Sequence, residues 1–302
     1  MLNYQNLYDH LSGWLAVYIA ALVTGETILS FFLFKKTYRK ELLVNIVTGA
    51  VSMFTVGFFK TYIFSWLFIK AYEWRWFEIG MHWYSWVIGF FAYTFYDYFT
   101  HVLYHKVRLL WCFHSVHHSV QHMNSSAGFR TSVLDLFSVN IFLFLLPLCG
   151  IHPLVYFIIY SIHKFWGMFI HINERFVNKA GFLEYFLVSP SNHHLHHASN
   201  EPYIDKNYGE FVPWYDMLFG TYVQEKEKPR YGTINVQTEL GFWESQLFEF
   251  RRLGADLRSA NDLRTKLKYI FYAPGWKSEM KPKDRGQVTQ HFFQKPDTAR
   301  EN

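Results

Sequence analysis

The chain has 302 residues, of which 51% are apolar, 21% aromatic and only 18% charged, against about 25% charged in an ordinary soluble domain. Two cysteines, Cys112 and Cys149, are too few for a disulfide framework or a thiolate metal cluster, which excludes secreted mini-proteins; no repeat or low-complexity tract appears either. The formal charge of +5 comes from Lys and Arg scattered at the ends of apolar runs rather than gathered in a stripe, so a bilayer is the expected partner and nucleic acid is not.

In chain order, five apolar runs approach the roughly 20 helical residues that cross a ~30 Å hydrocarbon slab: 14–34, 42–69, 83–103, 133–149 and 154–172. The first has no basic stretch before it and no small-residue cleavage site after it, so it reads as a retained span. The last two are separated only by Gly150, Ile151, His152 and Pro153 and read as a hairpin. The expected fold is all-α: a polytopic membrane helical bundle of four to five spans, with a helical cap on the cytosolic side carrying the histidines.

Lys35, Lys36, Arg39 and Lys40 mark the first loop as cytoplasmic, and Lys106 and Arg108 do the same at the end of the third run. Alternating passage then places 101–130, 171–222 and the tail on that one face, in the endoplasmic reticulum or a bacterial inner membrane. The division is 1–82 for the N-terminal spans, 83–222 for a catalytic core with its membrane hairpin, and 223–302 for a polar C-terminal tail. Trp74, Trp76, Trp83 and Trp86 suit the lipid-facing and interfacial wall. In the tail, 248–267 is amphipathic and lies on the membrane surface or packs on the catalytic loops, and a loosely ordered end is expected from Pro274.

Three histidine clusters stand out: His101 and His105 as HxxxH, His114, His117 and His118 as HxxHH, and His193, His196 and His197 as a second HxxHH. At this histidine content a chance HxxHH is expected roughly 0.04 times per chain, so two are no accident of composition. Residues three and four apart share a helix face, so each cluster is expected to aim its imidazoles at one point. Eight imidazoles exceed what one tetrahedral ion uses, and HExxH is absent, so two metals fit better; imidazole suits iron, copper, nickel and zinc alike.

His171, two turns after His163 on the same face, is a ninth candidate ligand, whereas His163 is a candidate supporting residue. His194 lies off the shared face of its cluster and is expected beside the site or in solvent, as is His122. Asp97, one turn before His101, is expected to accept a hydrogen bond from a ligand imidazole and fix its tautomer. Glu174, Asp205 and Asp216 are alternatives for that role. His10, His82, His152 and His291 are assigned to packing or surface.

The stretches 97–105 (DYFTHVLYH), 114–122 (HSVHHSVQH) and 181–232, with LEYFLVSPSNHHLHH, IDKNYGEFVPWYDMLFGTY and a closing RYG, resemble the fatty acid hydroxylase / sterol desaturase superfamily of histidine-box membrane oxygenases. Within it the third stretch is most similar to the alkylglycerol monooxygenase branch. The likeness covers about 90–232. Where that branch carries His-His-Arg before its last pair, this chain has Asn192, His193 and His194, which moves the expected ligand to His193.

The resemblance implies a diiron site held by His101, His105, His114, His117, His118, His171, His193, His196 and His197, with zinc as a substitute in a purified sample. It also implies oxidation of a membrane lipid C–H bond with O2 and two electrons from an external donor, which in the alkylglycerol branch is a reduced pterin acting in ether cleavage. An aliphatic C–H bond is beyond side-chain acid–base catalysis and needs a metal oxidant, and Tyr93, Phe95, Tyr96, Phe165 and Trp166 are candidate walls for the chain. Sterol or fatty-acyl desaturation and C4-methyl oxidation use the same boxes and stay open, as does a non-enzymatic metal-binding membrane protein. Clusters at span ends rather than within spans favour catalysis over transport. No HPGG, CxxCH or GxGxxG supplies a redox domain.

Overall fold

The computed structural model describes residues 4–34, 38–57, 65–135, 139–177, 179–233, 236 and 238–278. Among these residues the chain is all-helical, with no strand. Eleven α-helices occur in the order α1 (Tyr4–Phe34), α2 (Arg39–Ser52), α3 (Ser65–Glu73), α4 (Trp83–Lys106), α5 (Arg108–His118), α6 (Leu145–Leu148), α7 (Pro153–Phe169), α8 (Pro190–His196), α9 (Trp214–Phe219), α10 (Phe242–Ser259) and α11 (Leu263–Phe271).

The scaffold beneath the histidines is the pairing of α4 with α7. Pro153 occupies the first turn of α7, where its missing N–H costs nothing, and the His152 ring accepts from Leu154 N at 3.1 Å. His82 and Ser85 form a capping box that starts α4. Gly89 lets the helices close, because a Cβ there would stand 2.6 Å from Val155 Cγ1. Tyr93, Ile151, Val155 and Ile159 fill the seam together with Phe68 and Leu146.

On the other side of α4, Trp83, Val87, Phe91, Phe95 and Phe99 recur every four residues and are all exposed. An outward apolar stripe of this kind marks contact with lipid or a partner rather than water. One described helix, within α1 at Gly13–Phe32, is long and apolar enough to cross a membrane. α7, at 17 residues, is shorter than the ~20 a full crossing takes.

Two of the expected continuous spans differ from the structure. Residues 42–69 are divided: α2 runs into a π-helical turn, Met53–Gly57, and α3 begins at Ser65, with 58–64 outside the described residues. The buried face of α2 carries Glu41, Asn45 and Thr48 beside Val44 and Gly49, because it packs on a polar loop: Asn45 Nδ2 donates to Ser126 Oγ at 2.9 Å and Arg130 donates to Asn45 Oδ1 at 3.2 Å. Residues 133–149 begin with a turn, continue as a 3₁₀ segment, Val139–Phe144, and end in the short α6. Asp135 there accepts from the Tyr104 hydroxyl at 2.6 Å, and Pro147 stops an inward helix from lengthening. Lys35, Lys36, residues 136–138 and His291 lie outside the described residues.

The C-terminal segment packs on the histidine-bearing part. Cys112 of α5 joins Leu253, Tyr269 and Trp276 in one apolar cluster, and Arg108 pairs with Glu249 of α10 at 3.1 Å, both side chains buried. The loose end expected from Pro274 therefore does not hold through Ser278, since Trp276 seats against Tyr269 and Tyr272. Residues 279–302 lie outside the described residues.

Candidate metal centre

Four elements bring the histidines together. α4 ends with His101 and His105, and extended Val107 (φ −111°, ψ 117°) folds α5 back against it. α5 carries His114, His117 and His118. His171 follows the last turn of α7, and Gly128 clears the space beside it. α8 is a two-turn helix set by Ser189, whose hydroxyl accepts from Asn192 N at 3.1 Å while the Asn192 side chain reaches back; it carries His193 and His196, with His197 as its C-cap.

All nine rings converge, in two adjacent pockets. His101, His105, His114, His118 and His196 each offer a nitrogen within 4.8 Å of the others, and so do His117, His171, His193 and His197. The two HxxHH clusters do not each aim at one point as their spacing suggested. Their i,i+4 pair serves one pocket and the residue between serves the other: His114 and His118 against His117, and His193 and His197 against His196. Neighbouring helix positions differ by ~100°, so residues i+3 and i+4 straddle the line between pockets, and the stacked rings of His118 and His197, 4.5 Å apart, form the shared wall.

The loop after α8 fixes ring orientation in the first pocket; of its acceptors the sequence reading names Asp205 as an alternative and does not name the backbone carbonyls. The Tyr208 carbonyl lies 2.7 Å from His101 Nδ1, the Lys206 carbonyl 2.9 Å from His196 Nδ1, and Asp205 Oδ1 3.5 Å from His105 Nδ1. The chain can aim these acceptors to one side because Asp205 (φ 57°) and Asn207 (φ 53°) are left-handed, the only such non-glycine residues among those described. Asn and Asp tolerate this conformation better than other L-residues. Asn207 is anchored on both sides of Val223, donating to its carbonyl at 3.0 Å and accepting from its amide at 2.8 Å. Asp216 accepts from the amides of Tyr208 (2.8 Å) and Gly209 (2.7 Å) and from the Thr221 hydroxyl (2.6 Å). In the second pocket, the Gly167 carbonyl takes His171 Nδ1 at 2.6 Å.

These acceptors leave the Nε2 atoms of His101, His105, His171 and His196 as lone pairs, and those of His105 and His196 are buried without a partner. Neighbouring Nε2 atoms stand 2.9 Å (His101–His114), 3.1 Å (His114–His118), 3.2 Å (His117–His171), 3.0 Å (His171–His193) and 3.0 Å (His193–His197) apart. Donors ~2.1 Å from one ion stand about 3.0 Å apart at right angles and about 3.4 Å apart in a tetrahedron. The spacing therefore fits donors that share an ion.

Burial, then the mutual repulsion of their positive forms, holds His114, His117, His118, His193, His196 and His197 well below the usual histidine range, so these rings are neutral donors at pH 7. Burial works to raise Asp205, but the hydrogen bond and charge of His105 and the charge of Lys106, 2.5 Å away, outweigh it and bring Asp205 to about 2.

The remaining residues lie elsewhere. Asp97 does not meet His101, whose Nδ1 is taken by Tyr208; it clusters with His163 and Glu210. His194 is buried outside both pockets, 3.3 Å from the Tyr231 hydroxyl, and burial lowers it to about 4. His122 pairs with Glu41 at 2.7 Å and stacks on Tyr38. Of the candidate wall residues, Tyr93 belongs to the α4–α7 seam, Phe95 is exposed, Phe165 packs on Tyr18 of α1, and Trp166 donates to the Val188 carbonyl at 2.9 Å.

Residues 86–221 match the family model described as fatty acid hydroxylase. Alkylglycerol monooxygenase from Homo sapiens is 29% identical over 86% of this chain and 58% of its own length, and that from Xenopus tropicalis 30% over 72% and 47%. The ornithine lipid hydroxylase OlsE of Rhizobium tropici is 31% identical over 45% of this chain and 41% of its own length. The chain thus spans about half the length of the curated relatives it matches. No solved structure matches it. With the histidine clusters inside the matched segment and several alkylglycerol monooxygenases among its relatives, the chain belongs to the fatty acid hydroxylase superfamily.

Proposed function

We propose that this protein is a membrane-bound non-haem diiron monooxygenase that hydroxylates a lipid C–H bond with O2. The observation that carries the reading is the sorting of nine imidazoles into two nitrogen-only pockets with neighbouring donors near 3 Å apart. The relatives named for alkylglycerols and an ornithine lipid support a lipid substrate. Ether-lipid cleavage with a reduced pterin is the narrower form of the proposal.

His101, His105, His114, His118 and His196 would hold one iron, and His117, His171, His193 and His197 the other. Bound iron supplies the activation of O2 that a C–H bond demands. The chain's own residues do the rest. The carbonyls of Tyr208, Lys206 and Gly167 keep Nδ1 protons and present Nε2 inward, and the burial of both pockets excludes water. The apolar face of α4 meets lipid, within a bundle of four to five passages that leaves the pockets on the cytoplasmic side. Residues 83–222 form the catalytic unit of this proposal, 1–82 its membrane support and 223–302 a cytoplasmic segment whose described helices, α10 and α11, pack against it. The two electrons come from outside the chain.

Metal analysis of protein purified anaerobically is expected to give about two irons per chain, one for each nitrogen pocket. His117→Ala and His196→Ala are each expected to lose iron and turnover, whereas His10→Ala, at an exposed position, keeps both. Lipid mass analysis of membranes with and without the protein is expected to reveal a product heavier by one oxygen. A product lighter by two hydrogens replaces hydroxylation with desaturation, and an active metal-free protein ends the reading.

A further inference from the structure

Asp97 and His163 fall outside both histidine pockets, and the capping and seam contacts of α4 and α7 do not account for them. The α4–α7 packing sets them together, Asp97 one turn before His101 and His163 two turns before His171. The loop after Tyr208 adds Glu210. One donor atom of each lies within 4.8 Å of the others. His163 is 1% exposed, and neither of its ring nitrogens has a partner. Its ring faces are taken, stacked 4.7 Å from Phe211 and edge-on 4.6 Å from Tyr93, so only its polar edge is left to answer.

The backbone makes room for the cluster. A Cβ on Gly167 would stand 2.1 Å from Glu210 Oε1, so any other residue there would evict the carboxylate. Lys164 is 3.4 Å from Glu210 Oε2 and 39% exposed. A carboxylate inside a helical bundle is either compensated by a charge or stays protonated, and a bound cation would supply the first.

We propose that Asp97, His163 and Glu210 form a third cation site, separate from the nine-histidine pockets, that takes a divalent transition ion of mixed oxygen and nitrogen preference such as Mn²⁺ or Zn²⁺. Donors bound at ~2.1 Å to one ion stand about 3.0 to 3.4 Å apart, and these three atoms lie within 4.8 Å of one another, so closure on an ion takes side-chain rotations that move the donors by up to about 1–2 Å. The aromatic rings packed around His163 suit an ion rather than a bulky polar headgroup. The ion would tie α4, α7 and the loop of Glu210 together, the three elements that carry His101, His171 and the acceptors of the first pocket. This site does not depend on the iron reading.

The test uses the full chain in lipid nanodiscs, stripped with chelator, reloaded with Mn²⁺ or Zn²⁺ and counted by elemental analysis. Asp97→Asn/Glu210→Gln is expected to hold one ion per chain fewer than wild type, and so is His163→Gln, which keeps the fold measurable if the double variant does not assemble. A His117→Ala/His196→Ala variant should keep this ion while losing those of the nine-histidine pockets, so the two proposals fail separately. Equal ion counts for folded His163→Gln and wild type would overturn the site.

Discussion

At the residue scale, His101, His105, His171 and His196 each have an acceptor at the far ring nitrogen, and three of those four acceptors belong to one short loop. Asn207 is its keystone: it takes φ 53° and is fastened to Val223 from both sides. Asn207→Ala removes the fastening and adds strain, and by the usual effect of losing outer support around a metal it is expected to weaken metal binding 10- to 100-fold, roughly. Competition with a chromophoric chelator measures this. Asn207→Gly adopts the backbone freely but lacks the anchor, so its affinity should fall between; an affinity equal to wild type for Asn207→Ala would dismiss the loop as a template.

The ligand candidates were legible because i, i+3 and i+4 spacing survives in any helix. The loop's role was not, although the DKNYG string was visible, because carbonyl direction depends on two positive φ angles that spacing does not encode. The division of each HxxHH between pockets was missed for a related reason. Spacing specifies a face, but whether one or two ions stand before that face depends on where the neighbouring helices sit. Sequence position puts Asp97 one turn before His101; the parallel register of α4 against α7 gives it to His163 instead.

At the element scale, α5 is held between α4 and α10. Arg108 opens α5 and meets Glu249 at 3.1 Å and Asp256 at 3.8 Å, while Arg252 meets Glu249 at 2.7 Å. Removing one partner of a buried pair leaves the other charge uncompensated. Glu249→Ala is therefore expected to destabilise the chain by about 3 kcal/mol, the low end for such changes because Asp256 still faces Arg108. The thermal midpoint in detergent should fall, and Glu249→Gln should recover part of the loss by accepting from Arg108. The amphipathic pattern of the tail was readable in sequence, but not its partner: a surface helix and a packed one share the same stripe, and only the location of Cys112 beside Leu253, Tyr269 and Trp276 decides.

At the scale of the whole molecule, the family match begins at residue 86, yet α1 and α2 reach into the histidine-bearing loops. Glu26, a carboxylate inside the one described helix long and apolar enough to cross a membrane, is 5% exposed and accepts the backbone amides of Ser125 at 2.6 Å and Asn173 at 2.7 Å. Ser125 follows the α5 cluster and Asn173 follows His171 by two residues, so one side chain pins both approaches to the second pocket. An ionisable group in such a helix is there for a task, and hydropathy alone gives no hint of this one.

Glu26→Ala would leave two buried amides unpaired, a loss of roughly 2–6 kcal/mol at 1–3 kcal/mol per orphaned group. Iron held as proposed should then be lost, read as iron per chain after gel filtration, although none of the nine imidazoles has been touched. Glu26→Gln keeps an acceptor oxygen and should retain more iron than the alanine variant. If both variants hold iron as wild type does, α1 is an anchor only, and its carboxylate has no part in setting the position of His171.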